Sequence, residues 1–470
     1  MKNTALLLTL VATALTASAA EPSTSADRNW PQWRGPAANG IAPLADPPTE
    51  WSETKNLKWK VKLPGSGSAT PIIWGDRIFI LTAVPTGKKI GATAAPAPAP
   101  APKKSSEPQK APAPGGAGGK GGKGGGKGGG GFGIETPTEV QRFAVLCLDR
   151  KTGRTLWDRT VREAVPNEGH HRDHGWASGS AITDGQWLIA PFGSQGIYAL
   201  DLDGNVKWQR ELGRQRTRNS FGEGSSAALH GDTVVMNWDH EGEDFIVALD
   251  KRTGADRWKN SRDEITTWST PLIVEHEGKA QVVVNATGAV RGYDLASGKP
   301  LWEASGQSVN AIPSPVTTAG LVIVMSGYTK QMLQAIRLGR TGKLDGTDAI
   351  AWSHNKATPY VPSPLLYGDR LYFLASNNGV LSCFDVRTGK AHFEAQRLEG
   401  MRGVYASPLG AAGRVYVVGR DGTTLVLKDA PVLETLATNK LDEGIDASPV
   451  AVGRELFLRG KEHLYCIAEK

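Results

Sequence analysis

The sequence predicts an all-β chain, an eight-bladed β-propeller of four-stranded antiparallel blades whose ring is closed by an N-terminal strand. Three observations carry this expectation. The segment LDRKTGRTLW at 148–157 returns as LDKRTGADRW at 249–258 and YDLASGKPLW at 293–302. A small hydroxyl residue followed by Pro or Ala recurs as Thr70-Pro71, Ser180-Ala181, Ser226-Ala227, Thr270-Pro271, Ser314-Pro315, Ser363-Pro364, Ser407-Pro408 and Ser448-Pro449. After a first interval of 110 residues the copies stand 46, 44, 44, 49, 44 and 41 residues apart. Within each unit, short runs rich in β-branched and aromatic residues are punctuated by Gly and Asp, as strands and tight turns are, and no sustained helical period follows residue 20. Units of about 40 to 45 residues with four strands each describe propeller blades.

Taken in order, residues 1–20 read as a secretory signal: Lys2, an apolar run from Ala5 to Leu15, then the small residues Ala17-Ser18-Ala19-Ala20. Residues 21–55 form an N-terminal extension whose Trp30 and Trp33 are expected at most to cover an outer surface. The propeller spans 56–470. In blade one the runs TPIIWGD, RIFILTA, RFAVLCLD and RTLWDRT are the four strands. Between the second and third lies an Ala/Pro/Gly/Lys-rich insertion, 86–138, whose composition cannot bury enough apolar surface to order itself. The last unit stops at Lys470 soon after its third strand. NLKWKVKLPG at 56–65 supplies the missing outer strand and leaves no unpaired blade.

The chain carries a formal charge of +7 over 470 residues. Thr86 to Gly131 contains eight lysines against Glu107 alone, so the basic balance belongs to the insertion and nucleic-acid binding is not expected. No later stretch approaches the ~20 apolar residues of a membrane-spanning helix. Cys147, Cys383 and Cys466 occupy matching places in three units, and read as small buried apolar residues, not a disulfide framework. A periplasmic or secreted monomer is expected.

In each repeat the Gly permits the left-handed turn, the Asp and Thr hydrogen-bond the turn backbone, and the Trp packs on neighbouring structure. This pattern resembles the tryptophan docking motif of the PQQ-like propeller superfamily, carried here by Trp59, Asp149, Gly153, Trp157, Asp201, Trp208, Asp250, Gly254, Trp258, Asp294, Gly298, Trp302, Trp352, Asp385 and Gly389. The superfamily includes PQQ-dependent alcohol dehydrogenases and the non-catalytic BamB-type propellers, and WPQWRGPAANG at 30–40 is similar to the opening of many exported bacterial PQQ-like repeat proteins. The resemblance implies the fold. The chemistry is a separate matter: no two cysteines are adjacent, and C-x-x-C-H is absent. The BamB-type lipidated Cys is absent too.

No catalytic residues are assigned. The expectation is a non-catalytic module for an envelope protein or polysaccharide, with no cofactor; the alternative is a PQQ-dependent oxidoreductase, with calcium, acting on an alcohol or sugar. Residues just before the anchors, Trp176, Glu223, Trp268, Asn310, Tyr360, Tyr405 and Asp446, are expected to ring the mouth of the central funnel, a concave site of aromatic and polar groups. His170, His171 and His174 belong to the same face. Their spacing could also ligate zinc or copper, with Asp173 or Glu168 adding an oxygen. WDHEGED at 238–244 is expected to be a solvated acidic turn.

Overall fold

The computed structural model describes residues 25–90, 133–318 and 320–469; the expected signal and most of the insertion lie outside them. The described residues form eight propeller blades. Blade one pairs Ile72–Trp74, Arg77–Lys89, Glu139–Asp149 and Thr155–Ala164 in that order, and blades two to seven repeat the antiparallel meander. Blade eight comprises Val450–Val452, Glu455–Arg459 and His463–Ile467, and takes its fourth strand from Leu57–Lys62. The ring therefore closes as the sequence predicts.

The repeat's two signatures hold neighbouring blades together at different radii. At the inner radius, each anchor hydroxyl receives the backbone N–H of the preceding blade's anchor: Thr70 N donates to Ser180 Oγ at 2.9 Å, Ser180 N to Ser226 Oγ at 2.9 Å, and Ser407 N to Ser448 Oγ at 3.0 Å. Seven of the eight junctions carry this bond among the described residues. At the eighth, the buried Arg459 donates to Ala69 O at 2.6 Å.

At the outer radius the tryptophans reach across. Trp59 Nε1 donates to Arg150 O, Trp157 to Leu202 O, Trp208 to Lys251 O, Trp258 to Leu295 O and Trp352 to Val386 O, at 2.7 to 3.1 Å. Each indole lies flat on a turn glycine of the next blade. A Cβ on Gly153 would stand 2.9 Å from Trp59, and the φ of +73° there already favours glycine. A register shift at the start of each outer strand sets these rings in place. Trp59 faces Cys466, Trp157 faces Cys147 and Trp208 faces Ala199 on the third strand. The three cysteines, all buried and unbridged, thus occupy the small-residue slot opposite the outer strand.

Four expectations need correction. Trp302 does not reach blade five. Its Nε1 donates to Gln281 Oε1 at 2.8 Å inside its own blade, against Gly292. Blade five's turn is longer, and contributes Gly342–Lys343 as a fifth, parallel strand beside Pro300–Ser305.

The insertion's flanks are also structured. Thr86–Lys89 continues the second strand of blade one, and Ile134–Glu135 pairs with His170–His171.

The N-terminal extension is built into the fold. Trp30 is 1% exposed and bridges Ile73 through backbone bonds of 2.9 Å in both directions. Pro31 O accepts Thr183 N in blade two at 2.8 Å, while the Arg34 guanidinium donates to Pro364 O in blade six at 2.6 Å and to Pro408 O in blade seven at 2.8 Å. Blades two and six stand opposite each other in a ring of eight, so this short segment crosses the lower end of the central channel. It continues through Ile41 and Asp46 to Trp51, which stacks on Tyr416 in blade seven.

Lastly, WDHEGED is no solvated turn. Asp239 forms a fully buried ion pair with Arg262 at 2.6 Å, Glu241 accepts Thr266 Oγ1 at 2.9 Å and Asp244 accepts Glu264 N at 2.6 Å. These carboxylates satisfy the connection from blade three to blade four, and only Glu243 faces water.

Candidate functional site

The connections that precede the anchors converge on the upper mouth of the channel, opposite the Trp30–Trp51 crossing. The histidine loop, 167–176, lies over this mouth. Glu168 moors it by accepting Thr217 N at 3.1 Å and Thr217 Oγ1 at 2.5 Å, and the Trp176 indole donates back to Glu168 O at 3.0 Å. From the loop's far side Asp173 spans to blade seven, accepting Arg420 Nη2 at 2.9 Å and the Tyr405 hydroxyl at 3.3 Å. Arg420 also donates to Asp446 Oδ1 at 2.7 Å, and its guanidinium lies 3.9 Å over the Tyr405 ring. A carboxylate on each side and an aromatic face beneath leave this arginine committed.

The three loop histidines point to separate partners. His170 Nδ1 lies 2.8 Å from His171 O, His171 packs edge-on against Phe221 at 5.6 Å, and His174 Nδ1 lies 2.7 Å from Ser178 Oγ. No three metal-ligating side chains converge among the described residues. Burial, reinforced by the neighbouring imidazoles, pushes His174 down to about 4, so it stays neutral at ordinary pH.

Around the mouth the remaining pre-anchor residues meet in sequence. Phe221 lies 6.5 Å from Trp268, whose indole donates to Gly222 O at 2.6 Å. The backbone N–H of Trp268 donates to Ala311 O beside Asn310, and Asn310 Nδ2 reaches Tyr360 at 3.4 Å. Tyr328 stacks on Tyr360 at 4.8 Å. The result is an aromatic arc from His171 through Tyr360 to Tyr405.

Glu223 departs from the ring. Its carboxylate turns into blade two, where it accepts Ser194 N at 2.6 Å and fills the space beside Gly193. Glu168 and Glu223 line one cavity of about 30 Å³, room for a water molecule or so. Burial raises Glu168 to about 7 and Glu223 to about 8 against the pull of their hydroxyl and N–H donors.

Arg420, Phe221 and Tyr328 were not singled out from sequence. Arg420 and Tyr328 occupy the turns between strands two and three, the other connections on this face, which is the signal that points to them.

The sequence matches the family described as "Outer membrane protein assembly factor BamB" over residues 137–237 and 242–470. Comparison with curated proteins finds no match. Among solved structures the chain is similar to BamB from Moraxella catarrhalis, at 16% identity and a TM-score of 0.52 over 71% of this chain and 93% of that one. It is similar to the quinohemoprotein alcohol dehydrogenase of Comamonas testosteroni at 11% identity and 0.57, over 94% and 81%. The computationally designed Ika8 protein aligns at 12% identity and 0.50, over 72% and 95%. At these identities the likeness shows a shared fold alone.

Proposed function

Because the chain belongs to the BamB family of outer-membrane protein assembly factors, we propose that it is an exported, non-catalytic module that holds an envelope protein on its upper face. The observation that carries this reading is the state of the mouth: Arg420 is held between Asp173 and Asp446, while the aromatic arc and the exposed Arg172 and Arg402 face outward. Aromatic residues and arginines are the types that anchor protein interfaces. Scaffolding in outer-membrane protein assembly is the role the family description suggests.

The dehydrogenase alternative implies PQQ with calcium in the funnel. Arg420 is held by Asp446 and Asp173 and so is committed within the fold, which weighs against its meeting a carboxylate of that cofactor.

The test is retention of outer-membrane assembly components by the immobilised protein from an envelope extract. Arg172→Glu combined with Arg402→Glu should lower retention at least tenfold without shifting the melting temperature. Equal retention by this variant, or dye-linked alcohol oxidation on addition of PQQ and calcium, would overturn the proposal.

A further inference from the structure

The rim of the mouth is polarised. On blades five to seven, the connections 327–331, 355–364, 375–379 and 398–408 carry Lys330, Lys356 and Arg402 against Glu399 alone. On the blade three side, 239–244 and 262–269 carry six carboxylates against Arg262 alone, and of these Glu243 and Asp263 are exposed. Lys330, Lys356 and Arg402 are exposed too, and none of them meets a carboxylate among the described residues.

Hydrogen bonds join the basic connections into one continuous surface. Ala357 N donates to Gln331 Oε1 at 2.7 Å, Val361 N to Asn377 Oδ1 at 3.0 Å and Val404 N to Asn377 O at 2.9 Å. Tyrosines accompany the cations: Tyr328, 38% exposed, stacks on Tyr360 at 4.8 Å, and Tyr405 supports the Arg420 guanidinium. A surface already ordered loses little conformational freedom when a partner docks. Tyrosine and arginine are also the residue types that anchor protein contacts.

We propose that this rim, from Lys330 through Lys356 to Arg402, docks an acidic segment of the envelope protein held on the upper face. The inference rests on the scaffold reading and names the chemistry that the scaffold recognises. Exposed ion pairs are individually weak, so selection comes from three unpaired cations acting together along one rim. Glu243 and Asp263 repel the same segment from the blade three side, which fixes where on the face it lies. Arg420 takes no part, since Asp173 and Asp446 already hold it.

The probe is a fluorescein-labelled deca-glutamate peptide, titrated into the full chain by fluorescence anisotropy. It should bind, with an affinity that falls steeply on addition of salt. Lys330→Glu combined with Lys356→Glu should weaken it at least tenfold at an unchanged melting temperature, while Glu243→Gln combined with Asp263→Asn should bind it at least as tightly as the unaltered chain. No binding of the peptide, equal binding by the double lysine variant, or tighter binding of polygalacturonate or of phosphatidylglycerol vesicles would overturn the rim. Assembly components retained equally by the unaltered chain and by the double lysine variant would refute the rim and leave the scaffold standing. No retention by the unaltered chain would refute the scaffold reading itself.

Discussion

Each repeat solves a local problem with a particular side chain, and the cost of removing it follows from what it touches. Gly153 carries the Trp59 indole at a φ of +73°. Gly153→Ala should cost about 1 to 2 kcal/mol from the left-handed backbone alone, with further loss as the indole is displaced; a chemical-denaturation midpoint checks this. Trp302, 3% exposed, should lose about 3 to 5 kcal/mol on truncation to Ala. Half-buried Trp59 should lose about half as much. The cysteine slot was legible because Cys147 and Cys383 keep the same offset from the Asp and Cys466 takes the matching place in the last unit. The fate of Trp302 was not, because the change lies in the neighbouring blade's turn, where Gly342–Lys343 occupies the space.

Glu168 and Glu223 give the mouth a pH dependence. Both hold their protons in the fold up to about 7 and about 8, above the ordinary 4.5 of a free glutamate. Between these limits the folded chain binds more protons than the unfolded chain, so their contribution to stability is fullest at acid pH and is lost as pH rises through the window. Glu223→Gln, neutral throughout, should flatten the fall in melting temperature between about pH 5 and 8. An unchanged slope would show that the carboxylate reaches water in the fold. No sequence pattern announced this pair, since their burial comes from the packing of three blades.

At the scale of elements, two segments cap the channel from opposite ends. The lower crossing rests on Arg34, which burial pushes down to about 9 while it donates to two carbonyls across the ring. Arg34→Met should cost about 2 to 5 kcal/mol, because two charge-assisted bonds are lost and the carbonyls of Pro364 and Pro408 are left unmet. Thermal melts of this variant should resemble those of a chain lacking residues 25–39, and a full-length melting temperature in either would refute the crossing. The upper cap depends on Asp173 and Arg420, neither wholly buried. Asp173→Ala should therefore change stability by less than about 1 kcal/mol while making the 167–176 amides exchange faster. Sequence reasoning missed the lower cap. Trp30 and Arg34 lie outside the repeat, and only the folded ring brings Ile73, Pro364 and Pro408 within their reach.

For the whole molecule, the ring was the most legible feature. Its signal is spread over eight copies and does not hang on any single residue, and closure follows from an unfilled outer strand at one end and a Trp-bearing strand at the other. The buried acidic turn at 238–244 shows the limit of that reading: its charge was visible, but its partners Arg262, Thr266 and Glu264 lie in the next connection. The same holds for the mouth, where residue types were predictable and their pairing across the ring was not.

Closure of the ring by Leu57–Lys62 underlies every later step, because it fixes the blade count and the position of both caps. Hydrogen exchange on the intact chain measures it most directly. The amides of Leu57–Lys62 that face His463–Ile467 should exchange only through global unfolding, at the rate of the amides in the next strand inward, Glu455–Arg459. Fast exchange of 57–62 beside a protected 463–467 would contradict the closed eight-bladed ring.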